Sequence, residues 1–446
     1  MDCKRCVFLP PAGQLPSLKK LYIKGLPGIK SIGAEFYGCD HSSFRSFQSL
    51  EKLSFKDMLE WEQWSSGPGD TDVEVFPSLL ELCLDQCPKL QGYLPYCLSS
   101  LTKLVIHNCE QLSSSLPRLP QLQEMELKGC HHILLSGILG TNSVTSLELE
   151  NMRNLIYLPE GWLLYLTRLE RLVISNCFEL MHMARNKKGL LHLTGLRHFI
   201  IRSCSSMVSM SQELHYLPQN VEYLELDCCH SLERLPLNLH NLGSLQELVI
   251  TDCPQLESFS GIVFPSNLKG QVLRGCGLES LPEHMINNIS SLEYLYISGC
   301  LVLTSFPRDN KAIPTTFKQI TVDRCPNLEF LPEGMMHRSN TSLELLEIFD
   351  CSSITSFPQG QFPKTLRTLT IWNCSNLESL VDIITETVSL KSLRIGNCTK
   401  LQYLPSGLHT LIHLDYLELD GCPSIESFPE GGLPSTNLKK MHILNC

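Results

Sequence analysis

The sequence predicts an α/β solenoid, in which short parallel β-strands stack side by side and an irregular segment leads from each strand to the next. Two observations predict this fold. The pattern L-x-x-L-x-L-x-x-C-x-x-L recurs from Leu18 to Cys446, and Leu-Pro or Phe-Pro follows in the second half of most repeats. A unit of this size cannot bury its own apolar face, so we expect each repeat to be stable only when it packs against its neighbours.

One copy of the repeat shows how the pattern defines the fold. Its key positions are Leu366, Leu369, Ile371, Cys374 and Leu377. Alternate residues of a strand point to opposite faces, so the two strand aliphatics face the core. Proline in the returning segment removes an amide donor and opposes a long helix. The sequence therefore predicts a leucine-rich-repeat horseshoe with a parallel concave β-sheet and a convex side of turns, 3₁₀ segments and a few short helices.

The repeats run along the whole chain, which predicts a single leucine-rich-repeat domain over residues 1–446 with about 18 repeats. Residues 1–75 form N-terminal repeats with longer loops, and residues 76–446 form more regular repeats of the cysteine type. A solenoid needs polar caps to cover its terminal apolar layers. Met1 falls inside a repeat and Cys446 ends one just after its strand, so we expect a fragment of a longer protein or a truncated gene product.

Cysteine is unusually frequent, with 21 residues in a chain of 446. It occupies the turn position of 15 of the 18 predicted repeats, and the other three have Leu26, Met58 and Met152. A buried free thiol acts as a small apolar group. Because cysteines in adjacent repeats would lie within disulfide reach, about 4.4–6.8 Å between Cα atoms, we expect a reducing compartment. The chain has neither a signal-peptide-like stretch nor an apolar run of about 20 residues, which favours a cytoplasmic location with no membrane span.

Other patterns suggest chemistry only weakly. Cys3 and Cys6 form a lone CxxC without the second ligand pair that a zinc site needs. Sequons occur at Asn288, Asn340, Asn373 and Asn397, where we expect chance matches rather than glycans. The chain has no phosphate-binding loop and no nucleophile elbow. We therefore expect a non-enzymatic protein without metal or cofactor, and the net charge of −10 argues against a nucleic-acid partner.

The first, third and fifth residues of each predicted five-residue strand face the concave solvent side. Aromatic residues occupy these positions in the C-terminal repeats, at Tyr294, Tyr296, Phe349, Trp372 and Tyr416. Exposed aromatic side chains on a curved sheet are typical of protein-binding hot spots. The alternative is that Trp372 and Phe349 only pack on neighbouring side chains of the sheet, and the sequence leaves both interpretations open.

Charged residues divide the same face into regions. Lysine dominates the first two repeats, at Lys20, Lys24, Lys52 and Lys56. The following repeats are largely acidic, at Glu81, Asp85, Glu124, Glu126, Glu148, Glu150, Glu225 and Asp227. The face thus begins basic and continues acidic before it becomes aromatic.

Longer segments near the N-terminus carry a family resemblance. Residues 9–38 read LPPAGQLPSLKKLYIKGLPGIKSIGAEFYG, and residues 47–64 read FQSLEKLSFKDMLEWEQW. With their GQLPSLK, EFYG and W-E-x-W motifs, they closely resemble plant intracellular nucleotide-binding leucine-rich-repeat disease-resistance proteins of the coiled-coil class. The later repeats continue the likeness to Cys446, but the family's nucleotide-binding domain is absent from this chain.

The resemblance implies a role in plant innate immunity. Such a domain is expected to sense a pathogen effector or a guarded host protein and to restrain the nucleotide-binding switch module of the same receptor. On this hypothesis the aromatic residues contact the effector or host protein, and the four N-terminal lysines dock on the missing module.

Two other receptor classes also carry leucine-rich repeats. F-box-type ubiquitin-ligase substrate receptors have cysteine-type repeats, but their Ile-Thr-Asp-x-Gly-Leu helix start is replaced by Leu-Pro here. Extracellular receptors favour asparagine over cysteine at the turn. The F-box class therefore remains the main alternative, and the coding sequence upstream of Met1 would separate it from a resistance protein.

Overall fold

The computed structural model describes residues 5–38, 46–65, 74–138, 142–183, 189–207, 214–281, 291–306, 315–336, 342–381, 384, 389–434 and 437–446. The chain divides into two compact units, Met1–Val221 and Glu222–Cys446. The single domain predicted over residues 1–446 stays a prediction. Cys3, Asn288 and Asn340, which the sequence analysis considered, lie outside the described residues.

Within its described residues, the first unit contains one parallel sheet and one short two-stranded ladder. Its strands are β1 (Lys20–Lys24), β2 (Ser31–Ile32), β3 (Lys52–Lys56), β4 (Gln63–Trp64), β5 (Glu81–Asp85), β6 (Lys103–His107), β7 (Glu124–Lys128), β8 (Ser146–Glu150), β9 (Arg171–Ser175) and β10 (His198–Arg202). Strand β1 pairs with β3, β3 with β5, and β5 to β10 follow in chain order, all in parallel. Strands β2 and β4 pair with each other.

The described part of the second unit contains ten parallel strands in chain order. They are β11 (Tyr223–Asp227), β12 (Glu247–Thr251), β13 (Gly270–Arg274), β14 (Tyr294–Ser298), β15 (Gln319–Asp323), β16 (Leu345–Phe349), β17 (Thr368–Trp372), β18 (Ser392–Gly396), β19 (Tyr416–Asp420) and β20 (Lys440–Leu444). Each strand aligns residue for residue with the next, so the first, third and fifth positions form continuous columns across the sheet.

Helices in the described residues are short, as the proline-rich returning segments predict. The α-helices are α1 (Ala34–Tyr37) and α2 (Glu160–Leu163), and the 3₁₀ segments are Ala12–Gln14, His132–Ile138, Gly189–His192, Leu239–Asn241, Glu333–Met336 and Leu408–Thr410. None of the described helices has the length and apolar character that crossing a membrane requires. The predicted solenoid of parallel strands with a largely irregular return is confirmed.

The core is built from the predicted repeat positions. In β17 the side chains of Leu369 and Ile371 are fully buried, and Cys374 is buried at the turn that follows. Nineteen cysteines lie in the described residues, and all are free thiols. The Sγ atom of Cys130 donates to the backbone oxygens of Lys128 at 3.2 Å and of Ile106, in the preceding repeat, at 3.4 Å. The repeat cysteine therefore fills space and also links neighbouring repeats through a weak hydrogen bond.

The residue before each turn cysteine, or its equivalent, has a left-handed backbone, which sequence analysis missed. The set is Gly25, Asp57, Gln86, Asn108, Gly129, Asn151, Asn176, Ser203, Cys228, Asp252, Gly275, Gly299, Arg324, Asp350, Asn373, Asn397, Gly421 and Asn445. Asparagine, aspartate and glycine tolerate this conformation best, which explains their frequency before cysteine. Asn373 donates from Nδ2 to Asp350 Oδ1 at 2.7 Å and accepts from Asn397 Nδ2 at 2.8 Å, so the Asn373 sequon belongs to a turn ladder.

The family-typical motifs near the N-terminus form an aromatic core. Tyr37 of EFYG accepts a hydrogen bond from Trp64 Nε1 at 2.9 Å and donates to the backbone oxygen of Ser65 at 2.7 Å. Trp61 packs on Phe55 with ring centroids 4.7 Å apart. Buried aromatic rings of this size contribute large apolar areas. The motif pair is therefore structural, because it joins the longer loops of the first repeats.

Candidate protein-recognition surface

The first, third and fifth side chains of the five-residue strands line one face of each sheet, called the open face here. In β16 the buried residues are Leu346 and Ile348, whereas Leu345, Glu347 and Phe349 are only partly covered. The same alternation was predicted from the repeat pattern. All five predicted aromatic residues occupy open-face positions of the second unit, and each is half-buried.

Six open-face residues of β17 to β20 form a cluster, called the Trp372 cluster. Its members are Trp372, Arg394, Tyr416, Glu418, Lys440 and His442. The Cζ atom of Arg394 lies 5.9 Å from the Trp372 ring centroid and 6.0 Å from that of Tyr416. Lys440 Nζ lies 5.3 Å from the Tyr416 centroid on the other side. Cations within about 6 Å of an aromatic face are attracted to it, so the cluster is a network of cation–π contacts.

Glu418 is the anion at the centre of the Trp372 cluster, with only 9% of its surface exposed. Arg394 Nε donates to Glu418 Oε2 at 2.7 Å, and His442 Nδ1 lies 4.0 Å from Oε1. Burial by itself raises the pKa of this carboxyl, but hydrogen bonds from Arg394 and Tyr416 outweigh burial and hold the pKa below its ordinary value. Glu418 is therefore an ionised group that fixes the position of Arg394.

Trp372 depends on a glycine in the next strand. Gly396 is its register partner in β18, and a Cβ atom built on Gly396 would lie 2.5 Å from Cε3 of the Trp372 ring. Because real Cβ contacts are never this short, only glycine permits the observed ring position. On the other side, Phe349 of β16 is the register partner of Trp372.

Tyr294 and Tyr296 form a separate group on β14. The Tyr294 ring lies across Gly270 of β13, and its hydroxyl donates to Glu247 of β12. The guanidinium of Arg274 lies 5.4 Å from the Tyr296 ring centroid. Strands β15 and β16 separate this group from Trp372, which corresponds to about 14 Å at ordinary strand spacing. The predicted aromatic residues therefore form two groups, and Phe349 adjoins the C-terminal one.

The four predicted docking lysines lie together on β1 and β3. Lys20 faces Lys52 and Lys24 faces Lys56 in register. Three of them have acidic partners: Lys24 Nζ lies 3.5 Å from Asp57, Lys56 Nζ lies 2.6 Å from Asp85, and Lys52 pairs with Glu81. Exposed pairs of this kind contribute about 0–1 kcal/mol. The lysines therefore form a partly compensated charge region rather than an isolated basic one.

Cross-strand charge pairing is the feature of the first unit that sequence analysis missed. Lys128 Nζ of β7 lies 3.1 Å from Glu148 and 3.3 Å from Glu150, both on β8, and also 2.7 Å from Glu126 of its own strand. Partial burial alone would lower the pKa of Lys128, but the hydrogen bonds that Lys128 donates to Glu126 and Glu148 raise this pKa above its usual value. Lys128 therefore neutralises part of the negative charge of the acidic region. Comparing the same strand position in successive repeats would have revealed the pair of Lys128 with Glu150.

One group of side chains has the composition of a cation site. Single donor atoms of Asp227, Cys228 and Asp252 lie within 4.8 Å of one another. Exposed acidic groups are common without a bound ion, and Cys228 Sγ lies 3.7 Å from Asp227 Oδ1 as a hydrogen-bond donor. The expectation of a chain without metal or cofactor stays a prediction.

Comparison with known proteins was made for sequence and for fold. A candidate disease resistance protein of Arabidopsis thaliana is 28% identical over 423 residues, which is 85% of this chain and 29% of that protein. Disease resistance protein RPS4B of Arabidopsis thaliana is 31% identical over 211 residues, which is 38% of this chain and 17% of that protein. The chain is similar to plant disease resistance proteins. It spans less than a third of the length of either relative, and no protein-family profile matches it.

Solved structures with the same fold support the leucine-rich-repeat assignment of this resistance-protein-like chain. The TLR13 chain of a TLR13–ssRNA13 complex matches 96% of it with a TM-score of 0.52 and 17% identity. A leucine-rich-repeat protein of Leptospira interrogans matches 95% of it with a TM-score of 0.50 and 17% identity. At this level of identity the likeness concerns the fold alone.

Proposed function

We propose that this chain is the non-enzymatic protein-recognition part of a plant innate immune receptor. In this proposal the open face of the second unit binds a pathogen effector or a guarded host protein inside the cell. The similarity to plant disease resistance proteins supports the receptor role. The Trp372 cluster supports the location of the binding surface.

The Trp372 cluster is the single observation that carries the proposal. Trp372, Tyr416 and Arg394 belong to the residue types that dominate protein-binding hot spots. They lie at the same face of adjacent strands and hold one another in place through contacts of about 6 Å. A partner that covers them would remove water from rings already fixed in position, which reduces the entropy cost of binding.

The N-terminal lysines have a second proposed role, in restraint of a nucleotide-binding module of the same receptor. Lys20, Lys24, Lys52 and Lys56 would supply the basic contacts of this docking surface. Three of these lysines already face carboxylates, so a docking surface must offer better acidic partners than Asp57, Glu81 and Asp85. Replacing all four by glutamine should release the restraint and cause activation without ligand, and silence would contradict this role.

An F-box-type substrate receptor is the alternative function. The two Arabidopsis thaliana relatives are disease resistance proteins, which favours immune recognition over this alternative. An open-face binding surface is compatible with both classes. The coding sequence upstream of Met1 separates them, since a phosphate-binding loop is expected for one class and an F-box helix bundle for the other.

The proposed function is tested by binding to a panel of secreted pathogen effectors. The variant is Trp372→Ala with Tyr294→Ala, and the matched control is Tyr403→Ala with Leu237→Ala. The two control side chains are 56% and 66% exposed and lie outside the strands. We expect an effector that co-precipitates with the wild type to be lost with the open-face variant and retained with the control.

Circular dichroism and thermal unfolding verify that both variants keep the fold. Normal effector binding by the open-face variant would contradict the proposal. Equal loss with the control variant would also contradict it, because the binding surface would then lie elsewhere.

A further inference from the structure

Arg394 is held on the open face by one edge of its guanidinium. Its Nε atom donates a hydrogen bond to Glu418 Oε2 at 2.7 Å. Among the described residues, this is the hydrogen bond that the Arg394 side chain makes. The side chain is 45% exposed although it lies between two aromatic rings. The guanidinium is thus fixed through Nε by a buried anion, while nearly half of the Arg394 side chain is exposed.

The chemistry of this arrangement selects a carboxylate. A guanidinium carries five N–H donors in a planar fork, and Nε uses one of them here. The donors on the two terminal nitrogens match the two oxygens of a carboxylate, and such charge-assisted pairs are short and directional. Trp372 and Tyr416 lie about 6 Å from the guanidinium carbon, so they limit its rotation and keep the fork oriented.

The charges around Arg394 are compatible with an incoming anion. Lys440 and His442 lie on β20 beside Tyr416. Glu418 is already engaged by Arg394, and the other open-face carboxylate of β19, Asp420, accepts a hydrogen bond from Asn445 at 3.1 Å. The selectivity therefore arises from the fixed hydrogen-bond fork rather than from a large excess of positive charge.

We propose that Arg394 binds the carboxylate side chain of an acidic, extended segment of the protein partner. Glu418 positions Arg394, and Trp372 offers its ring to an apolar residue next to the acidic one. This inference rests on the proposed function, because it names the chemistry of the partner that the open face recognises. It concerns a glutamate or aspartate of a protein partner, and not a small anion.

A phage-displayed library of random 12-residue peptides is the probe that tests this subsite. The library is selected on the full chain, and the enriched peptides are synthesised with each acidic residue in its native form and as the amide. We expect selected sequences to be rich in Glu and Asp. Changing one acidic residue to its amide should weaken binding by about 10-fold, as expected for a charge-assisted hydrogen bond.

The same peptides are then measured on Arg394→Gln in a double-mutant cycle. The acid-to-amide difference should disappear with this variant, because a direct pair shows coupling that independent sites do not. Arg367→Gln is the matched control, since Arg367 is similarly exposed and pairs with Glu344 at 3.7 Å outside the strands. The control should keep the full 10-fold difference.

Arg394→Lys separates an effect on binding from an effect on folding. This variant keeps the positive charge beside Glu418 but removes the planar set of guanidinium donors. We expect it to unfold at nearly the wild-type temperature and to lose most of the acid-to-amide difference. Selection of peptides without acidic enrichment, or of no peptide, overturns the inference. An acid-to-amide difference that persists in Arg394→Gln also overturns it.

The two proposals fail in different ways. If Arg394→Gln keeps the acid preference while the Trp372→Ala, Tyr294→Ala variant loses its effector, the Arg394 subsite is wrong and the proposed function stands. If acid preference depends on Arg394 but the effector still binds the open-face variant, the proposed recognition role of this face is wrong.

Discussion

Trp372 lies across Gly396 of the neighbouring strand, where a Cβ atom would come within 2.5 Å of its ring. The glycine belongs to β18 and the ring to β17, so the position of the most prominent open-face aromatic side chain is decided in the next repeat. Gly396 is followed by the left-handed Asn397 and the buried Cys398, which keep the turn of that repeat fixed.

Replacing Gly396 by alanine should displace the Trp372 ring. We expect a changed near-ultraviolet circular dichroism spectrum and weaker binding of any open-face partner, with a loss of about 1 kcal/mol in the free energy of unfolding. Gly243→Ala is the control, because a Cβ atom there has nothing within 4 Å. An unchanged aromatic spectrum in Gly396→Ala would contradict the described ring position.

Gln271 is a polar residue in the apolar core of the second unit. Its side chain is fully buried in β13 at a position where most other repeats have leucine or isoleucine, and neither amide atom has a hydrogen-bond partner among the described residues. Gln271→Leu should therefore raise the free energy of unfolding by about 1–3 kcal/mol, the cost of an unsatisfied buried polar group. Urea denaturation measures the change. A destabilised variant would show that the amide has a partner after all.

The buried thiols should be unreactive in the folded protein. Burial raises the pKa of Cys130 and Cys204 to about 11 and of Cys177 and Cys374 to about 12. Neutral thiols are poor nucleophiles, so at about pH 8 we expect a slow reaction with a disulfide reagent and a fast one after unfolding in denaturant. Mass spectrometry assigns the modified sites. Rapid labelling of these four cysteines in the native protein would contradict the stacked core.

Glu418 predicts a pH dependence of stability. Its folded pKa lies below the ordinary value of 4.5, so its contribution is present above pH 4.5 and is lost as the pH falls through the folded pKa. Glu418→Gln should lower the unfolding temperature at neutral pH. Between about pH 5 and pH 3, the unfolding temperature of this variant should decrease less than that of the wild type. The exposed Glu430→Gln is the control. The stabilising role of ionised Glu418 would be contradicted if the unfolding temperature of Glu418→Gln decreased with pH as steeply as that of the wild type.

The sequence predicts the repeat core because its pattern is local. Leu369, Ile371 and Cys374 are specified by spacing within one repeat, and the structure buries all three. Trp372 is specified as an open-face residue by the same spacing. These predictions require no knowledge of the neighbouring repeats, since each strand alternates its side chains between two faces.

The contacts of the open face depend on two repeats at once, and they were missed for that reason. Arg394 lies between Trp372 and Tyr416 only because β17, β18 and β19 align residue for residue. Writing the repeats in register would have placed Gly396 beside Trp372 and Glu418 beside Arg394. Similarly, the lysines of β3 were predicted as a basic region because Glu81 and Asp85 were considered along the chain rather than across the strands.

Site-specific photo-crosslinking tests the central claim most directly. A photoreactive phenylalanine analogue is placed at Tyr416 in the Trp372 cluster or at the exposed Tyr403 outside the strands, and each protein is irradiated with an effector that binds the wild type. The proposal predicts an efficient crosslink from position 416 and little from position 403. Crosslinking from position 403 with none from position 416 would contradict recognition by the open face.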